Sequence, residues 1–353
     1  MDMGHDHNHD DHDHGSMPGM DMGGGHDKFH SVISRRPDGS YYYTHGAFLG
    51  HVVPGTFFII WGTWWLIATF HYYLRSAANR CQFTCRSWYP VFFGPDWLRS
   101  VPLEPLVKIV LPFFGVMGEL WLGHESWRTL HAPDGKFVTD NINDWQHSTM
   151  YTTFMTSGAV DLIGHFLEAP PGTERAFLGL AYLSQFLLLI FHLKGPPIEI
   201  MVHLILALQV GATVVSICVE AASPSSIVVA TLRPALTLLQ GVWWIQTAYI
   251  MYVSDPAYDP EEMGGTMMTP VVLVGHMLWV SIASLMLLLV MRGLQSKMLG
   301  REVKFIPVKG STTPRSGAAG TAGALGRYDD EDLLFDDGPE MSLELAGLTT
   351  SRK

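Results

Sequence analysis

The sequence has little charge and few cysteines for its length, and both shortages narrow what the chain can be. Only 16% of its 353 residues are charged and three are cysteines, so a disulfide framework is not indicated. It contains no Walker loop, nucleophile elbow, HExxH motif or dinucleotide fingerprint. The formal net charge of −11 argues against nucleic acid as a partner. No reaction follows from a motif, so whether the chain is an enzyme stays open.

Seven apolar segments take up most of the middle of the chain. Each is long enough for a membrane helix, which needs roughly 20 residues. The sequence therefore predicts an all-α polytopic membrane protein, with a seven-transmembrane-helix bundle in a domain of residues 45–298. The polar tails, 1–44 and 299–353, are predicted to be disordered. The predicted spans are 52–74, 106–123, 149–166, 176–193, 198–219, 232–253 and 271–291.

Basic residues are divided unevenly between the two sides of this predicted bundle. One side carries Arg128, Lys136 and Lys194. The other carries Arg75, Arg80, Arg86, Arg99, Arg175, Arg233, Arg292, Lys297, Arg301 and Lys304. Because basic residues favour the cytosolic side, the pattern predicts an N-terminus that is outside or lumenal and a cytosolic C-terminus.

The N-terminal tail mixes histidine, methionine and aspartate over about 30 residues. Imidazole suits copper and zinc, and thioether sulfur suits cuprous ion, so the tail is predicted to capture metal. Its candidate ligands are His5, His7, His9, His12, His14, Met17, Met20 and Met22. The composition resembles the extracellular tails of Ctr-type copper transporters. A solvating acidic tail or an expression tag is the alternative interpretation.

The C-terminal tail carries a short acidic pattern, Asp329-Asp-Glu-Asp-Leu333-Leu334. It has the form of an acidic dileucine sorting signal, and the predicted topology places it in the cytosol. Clathrin adaptors are therefore predicted partners of this tail, beside the membrane lipid and metal ions expected elsewhere. Nearer the first span, Cys81 and Cys85 lie at the predicted cytosolic face and are candidates for palmitoylation.

A set of short motifs between residues 50 and 291 resembles the transmembrane protein 45 family, a domain-of-unknown-function group of multi-pass proteins. The first motif is Gly50-His51-x-x-Pro-Gly-Thr-Phe-Phe running into Gly62-x-Trp64-Trp65. The others are Gly118-Glu119, His147-x-Thr149-Met150-Tyr151 with Asp161, Phe191-His192, Val202-His203, Leu238-Leu239-Gln240-Gly241-x-Trp243 and His276. The resemblance implies seven spans and residence in the endosome, lysosome, Golgi or plasma membrane, and supplies no established reaction.

Histidine and glutamate recur near the outer ends of the predicted helices. Ionisable groups in a bilayer normally face the bundle interior, because exposure to hydrocarbon is costly. Six of the seven helices, all except helix 6, each place such a residue in one outer layer, which predicts a buried metal site. The candidate ligands are Glu119, His147, His192, Glu199, His203 and His276. A proton relay or structural hydrogen bonding would use the same residues, and His51 is interpreted as an interfacial histidine.

A second polar layer lies nearer the predicted cytosolic side. Asp161 and His165 share one face of helix 3 and are predicted to be a structural polar pair. Lys108, Glu220, Arg233 and Gln240 lie at a similar depth. Because the charges have mixed signs, ion pairing that stabilises this half of the bundle is the favoured interpretation, ahead of a proton exit path.

The leading functional hypothesis is metal binding or transport by the outer layer, with zinc or copper as the cofactor. One alternative is a metal- or haem-dependent membrane enzyme, either a hydrolase or a redox protein, with haem ranked below zinc and copper. Another is a non-catalytic trafficking or scaffold protein whose polar layers are purely structural.

The tail hypothesis predicts weak, pH-dependent copper binding by a peptide of residues 1–30. Its ligands are abundant but not preorganised, so binding should be reversible. Imidazole protonates near pH 6.5 and then cannot ligate, so affinity should fall as the pH is lowered from 7.5 to 5. Titration with cupric ion measures this directly. Affinity that does not change across this range would rule out histidine as the ligand.

Overall fold

The computed structural model describes residues 33–39, 41–43, 48–122, 124, 126–253, 258, 260 and 262–305. Within them, two short strands, β1 (Ile33–Arg35) and β2 (Tyr41–Tyr43), pair antiparallel with Ser34 opposite Tyr42. The tail residues proposed to capture metal lie outside the described part of the chain, as do Asp329, Leu333 and Leu334.

Seven long helices make up most of the described chain. They are α1 (Phe48–Asn79), α2 (Leu103–Leu120), α3 (Ile142–Phe166), α4 (Thr173–Ile190), α5 (Pro197–Ala222), α6 (Ile227–Met251) and α7 (Met263–Leu299). A one-turn helix, Asp96–Arg99, precedes α2, and a 3₁₀ turn, Thr139–Asn141, leads into α3. All seven correspond to apolar segments of the sequence. Each begins one to eight residues before its predicted segment, while α2, α4 and α6 end two or three residues before theirs.

Local sequence explains several helix boundaries. α5 begins at Pro197, where a missing backbone N–H costs nothing because the first turn has no acceptor for it. The Ser226 side chain accepts a hydrogen bond from the Val229 N–H and so caps the start of α6. Gly300 ends α7 in the left-handed conformation, with φ of +61°.

The helices pack in the order α2, α3, α4, α5, α6, α1, and α7 lies against α5, α6 and α1. A large aromatic and aliphatic core fills the space between them, and it includes the fully buried Trp65, Tyr182 and Trp243. α7 is peripheral, with only 11% of its most apolar stretch buried. Most of its surface is left for lipid.

Five of the seven helices, α1, α4, α5, α6 and α7, are long and apolar enough to cross a membrane by composition alone. α2 falls short because it carries Glu104, Lys108 and Glu119, and α3 because it is rich in Thr and Ser and contains two aspartates. The architecture is therefore all-helical with five composition-defined spans.

The contact between α1 and α6 depends on glycines that let the two backbones approach closely. A Cβ added at Gly62 would lie 2.5 Å from the Leu238 backbone nitrogen, and one at Gly241 would lie 2.5 Å from the Ile59 nitrogen. Real Cβ atoms do not approach backbone this closely, so any larger residue would force the helices apart. Small residues at such positions are common where membrane helices pack.

We expect Gly241→Ala to lower the stability of the detergent-purified protein by about 1–3 kcal/mol, because the added methyl group overpacks the α1–α6 contact. Gly275→Ala is the matched control, since a Cβ at Gly275 in α7 meets nothing within 4 Å. Thermal unfolding followed by circular dichroism compares the two variants. A control that loses as much stability as Gly241→Ala would contradict close helix packing as the cause.

Candidate functional site

A row of imidazole rings and one carboxylate runs across one end of the helix bundle, the end that the sequence predicts to be the outer one. Glu119 at the end of α2 accepts a hydrogen bond from His147 Nδ1 of α3 at 3.2 Å. The His147 ring centre lies 5.5 Å from that of His192, which follows α4, and His192 lies 6.3 Å from His203 of α5. His51 of α1 completes the row, with its ring centre 5.9 Å from His203.

The three central histidines hold the same tautomer. His147 Nδ1 meets a Glu119 carboxylate oxygen, His192 Nδ1 meets Gln146 Oε1 at 2.6 Å, and His203 Nδ1 meets the Glu199 carbonyl at 2.8 Å. Each of these oxygens accepts, so each Nδ1 carries the proton. The Nε2 lone pair of all three rings is therefore left available to accept a proton or bind a metal.

Four of the six predicted ligands lie in this row, whereas His276 takes a separate position: the four are Glu119, His147, His192 and His203. His276 Nε2 lies 3.1 Å from Gln246 Oε1 of α6, so it holds the opposite tautomer, and its ring centre lies 6.5 Å from that of Trp243. Glu199 contributes its backbone carbonyl, while its Oε2 is buried without a hydrogen-bond partner among the described residues.

An open cavity of about 210 Å³ reaches the row beside His192. Its walls come from the start of α3 and the α4–α5 turn, and include Gln146, Asn143 and Lys194. The Lys194 ammonium donates to Asn143 Oδ1 at 2.7 Å, which holds the two sides of the cavity together. Of the histidines in the row, His192 lines this cavity, so a small polar ligand or hydrated ion in it would meet His192.

No group of three His, Cys, Asp or Glu side chains in the described part of the chain is arranged to hold a metal ion as it stands. The row is extended, with neighbouring rings in contact but not gathered around one point.

A buried ion cluster lies on the opposite side of the hydrophobic core from the histidine row. Glu104 accepts hydrogen bonds from the indole N–H groups of Trp61, Trp64 and Trp65, at 3.4, 3.0 and 2.7 Å. The Tyr89 backbone N–H donates to the same carboxylate at 3.0 Å. Four donors meet its two oxygens, so burial does not leave this carboxylate without hydrogen-bond partners.

Two ion pairs complete the cluster, and they join the opposite charges that the sequence places in the inner layer. Lys108 Nζ lies 2.5 Å from Asp161 Oδ2, and Arg233 binds Glu220 through Nε at 2.8 Å and Nη2 at 3.2 Å. The Arg233 guanidinium also stacks 4.1 Å from the Trp65 ring centre. His165 takes no part in it and packs against Trp88 and Phe166 instead.

Comparisons with known proteins agree with the membrane character of these helices. A family described as "Family of unknown function (DUF716)" matches residues 171–262, which include α4, α5 and α6. The chain is 23% identical over 245 residues to transmembrane epididymal protein 1A of the mouse, covering 66% of this chain and 77% of that protein. It is 22% identical over the same length to transmembrane epididymal protein 1 of the rat, with the same coverage.

The human transmembrane epididymal protein 1 is 24% identical over 140 residues, 38% of this chain. The chain is a multi-pass integral membrane protein. The matched family has no assigned activity, so the function of this membrane protein has to be argued from its own site.

Sequence reasoning set aside or missed three of the residues that the structure places in these sites. His51 was interpreted as interfacial but joins the histidine row. Gln146 and Glu104 were not considered. For Glu104 a signal was present: Trp61, Trp64 and Trp65 lie on one helical face, and their three indole N–H donors need a buried acceptor.

The two candidate palmitoylation sites differ in accessibility. Cys85 is buried, Arg175 Nη2 donates to its backbone carbonyl, and burial raises the pKa of its thiol to about 12. A buried, protonated thiol is a poor nucleophile in this conformation. Cys81 is half-buried, so it is the accessible candidate of the two.

The Arg233–Glu220 pair predicts a strongly non-additive pair of substitutions. Glu220→Leu should cost about 3–5 kcal/mol of stability, because it leaves the Arg233 charge buried without its carboxylate. Adding Arg233→Met should recover part of that loss, since apolar groups of similar volume often replace a buried pair at little cost. Thermal unfolding of both single variants and the double variant measures the coupling. Losses that simply add would show that the two side chains act independently.

Proposed function

We propose that this chain is a seven-span membrane protein whose outer histidine row binds a divalent transition metal, zinc or copper. The observation that carries the proposal is the shared tautomer of His147, His192 and His203. In metal sites, a ligating histidine typically donates its other ring N–H to a carboxylate, an amide or a backbone carbonyl, which fixes the ring and its tautomer. Glu119, Gln146 and the Glu199 carbonyl are these three kinds of acceptor.

Ring spacing supports the same proposal. Two imidazoles on one tetrahedral zinc, each with a Zn–N distance of about 2.0–2.1 Å, have ring centres about 5 Å apart. The 5.5 Å between His147 and His192 is close to this value, and the 6.3 Å between His192 and His203 is somewhat longer. Because the row is extended, His147 and His203 would also have to move toward each other. A bound metal would therefore draw the ends of α3, α4 and α5 together. Three histidines with an open fourth position suit zinc or copper better than haem, which takes axial ligands on opposite faces.

Seven spans, rather than five, are supported by where the charges of α2 lie. Glu104 and Lys108 point into the bundle, where both are buried and paired. The opposite face of α2 exposes Val110, Phe113 and Phe114. A criterion based on the composition of the whole helix includes these buried charges, although lipid would contact only the apolar face of α2. α3 packs between α2 and α4 and so would cross with them.

The excess of arginine and lysine on one side supports a lumenal or extracellular N-terminus, which places the histidine row and its cavity away from the cytosol. Similarity to the transmembrane protein 45 motifs supports residence in endosomes, lysosomes, the Golgi or the plasma membrane. In this orientation the row would meet metal ions from the lumenal side, where the tail histidines also lie.

Metal analysis of purified full-length protein tests the site. The tail residues His5, His7, His9, His12 and His14 are first replaced by serine, so that only the membrane domain is measured. After incubation with zinc and removal of the excess, we expect about one zinc per chain, and none in His203→Ala, because a three-histidine site should not hold zinc with two. His276→Ala is the matched control and should keep its zinc.

The free energy of unfolding, measured with and without zinc, provides an independent test of the same site. Free zinc at 100 times its dissociation constant should stabilise the folded protein by about 2.7 kcal/mol, and chelator should reverse this. His203→Ala should respond to neither. If neither zinc nor chelator changes the unfolding of the unsubstituted domain, the row is a structural hydrogen-bond network and the metal proposal is wrong.

A further inference from the structure

Polar side chains form a stripe along one face of α5. Gln209, Thr213, Ser216 and Glu220 follow one another at intervals of four, three and four residues, a spacing that keeps them on one side of a helix. All four are buried. The stripe therefore faces the interior of the bundle, while the lipid-facing side of α5 exposes residues such as Leu208 and Val215.

The neighbouring helix α6 carries a matching stripe. Arg233, Thr237, Gln240 and Thr247 lie at intervals of four, three and seven residues, and none is more than 2% exposed. α5 and α6 pack directly against each other and run in opposite directions. From α4, the Tyr182 hydroxyl joins the α6 stripe at Thr237 Oγ1, 2.9 Å away. Three helices thus line one polar interior face.

Apart from the Arg233–Glu220 ion pair and the Tyr182–Thr237 hydrogen bond, the described side chains of these stripes make no hydrogen bond from one helix to another. Both side-chain polar atoms of Gln209 and of Gln240 are buried and have no hydrogen-bond partner among the described residues. Gln185 Oε1 of α4 and Thr247 Oγ1 are also buried and have no hydrogen-bond partner among the described residues. The Thr213 and Ser216 hydroxyls bond to carbonyls of their own helix. Buried polar groups are ordinarily paired, and ordered water supplies the partner where protein does not.

The stripes extend from the histidine row to the buried ion cluster. At about 1.5 Å per residue, Gln209 lies about 9 Å along α5 from His203, and Glu220 lies about 16 Å further on. Thr213 and Ser216 fall inside the longer interval. Hydrogen-bonded oxygens lie about 2.8 Å apart, so a few waters between these side chains would make a continuous hydrogen-bonded path.

We propose that the facing stripes of α5 and α6 enclose a hydrated pathway that conducts protons between the outer histidine row and the inner ion cluster. A proton that enters at one end displaces a proton at the other end through the chain of waters. One positive charge therefore crosses the membrane, and no group on the path gains a proton overall. Acidic groups outnumber basic ones in the ion cluster, with Glu104, Asp161 and Glu220 against Lys108 and Arg233, so this end favours cations over anions. The pathway does not require metal at the histidine row.

Proton flux into liposomes that contain the purified full-length protein tests the proposal. A pH-sensitive dye is trapped inside, and valinomycin with a potassium gradient makes the interior negative. We expect faster acidification than in empty liposomes. Gln209→Leu and Gln240→Leu should each slow the protein-dependent flux by roughly tenfold or more, because leucine fills the space without a polar atom. Gln82→Leu is the matched control, since Gln82 is exposed and lies outside the long helices, and should leave the flux unchanged.

A second measurement needs no variant and so covers the case in which the leucine variants fail to fold. Hydroxyl radicals generated from bound water should modify Tyr182 in the unsubstituted protein although its side chain is fully buried. Phe70, which is equally buried but has no polar atom, should stay unmodified. Flux equal to that of empty liposomes, flux unchanged in both leucine variants, or Tyr182 as unreactive as Phe70 would each overturn the proposal.

Discussion

The hydrogen bonds between Glu104 and three tryptophans are the centre of a network that links five of the seven long helices. The carboxylate belongs to α2, the indoles belong to α1, and the fourth donor is the Tyr89 backbone N–H in the segment between them. The same indole rings are the surfaces on which the inner cations lie: Arg233 stacks on Trp65, and Lys108 lies 5.5 Å from the Trp61 ring centre. Through these cations the contact reaches Glu220 on α5 and Asp161 on α3. Five helices are thus linked through one carboxylate.

This arrangement follows from the solvent around the protein. Hydrocarbon offers no hydrogen bonds, so indole N–H groups, carboxylates and cations placed in the bundle have to satisfy one another. α1 and α2 have little direct backbone contact, and the long tryptophan and glutamate side chains bridge the distance between them. A charge on one helix therefore restricts which residues its neighbours can carry at the same depth.

Sequence reasoning succeeded where a single segment carries the information. Apolar length located all seven long helices, and depth counting placed Glu119, His147, His192 and His203 in one layer, because both depend only on position along a helix. It could not assign partners, since these depend on helix rotation and order.

His276 has the right depth, but its ring meets Gln246 on α6. His51 lies at the helix end, where an interfacial role was expected, yet the packing of α1 beside α6 turns it toward His203. Glu104 was missed because it lies just before the predicted span, and the tryptophans that donate hydrogen bonds to it lie about 40 residues earlier in the chain.

α5 is the helix on which the two polar regions meet. Its first turns hold His203 in the outer row, its last turn holds Glu220 in the ion cluster, and its polar stripe lies between them. The ion cluster holds one end of this helix at Glu220, and near the other end the buried Trp243 indole N–H donates to the Val202 carbonyl at 2.9 Å. α7, with few interior contacts and an apolar surface toward lipid, has no part in either polar region. Both polar regions of the described chain are therefore built from α1–α6 and the segments that connect them.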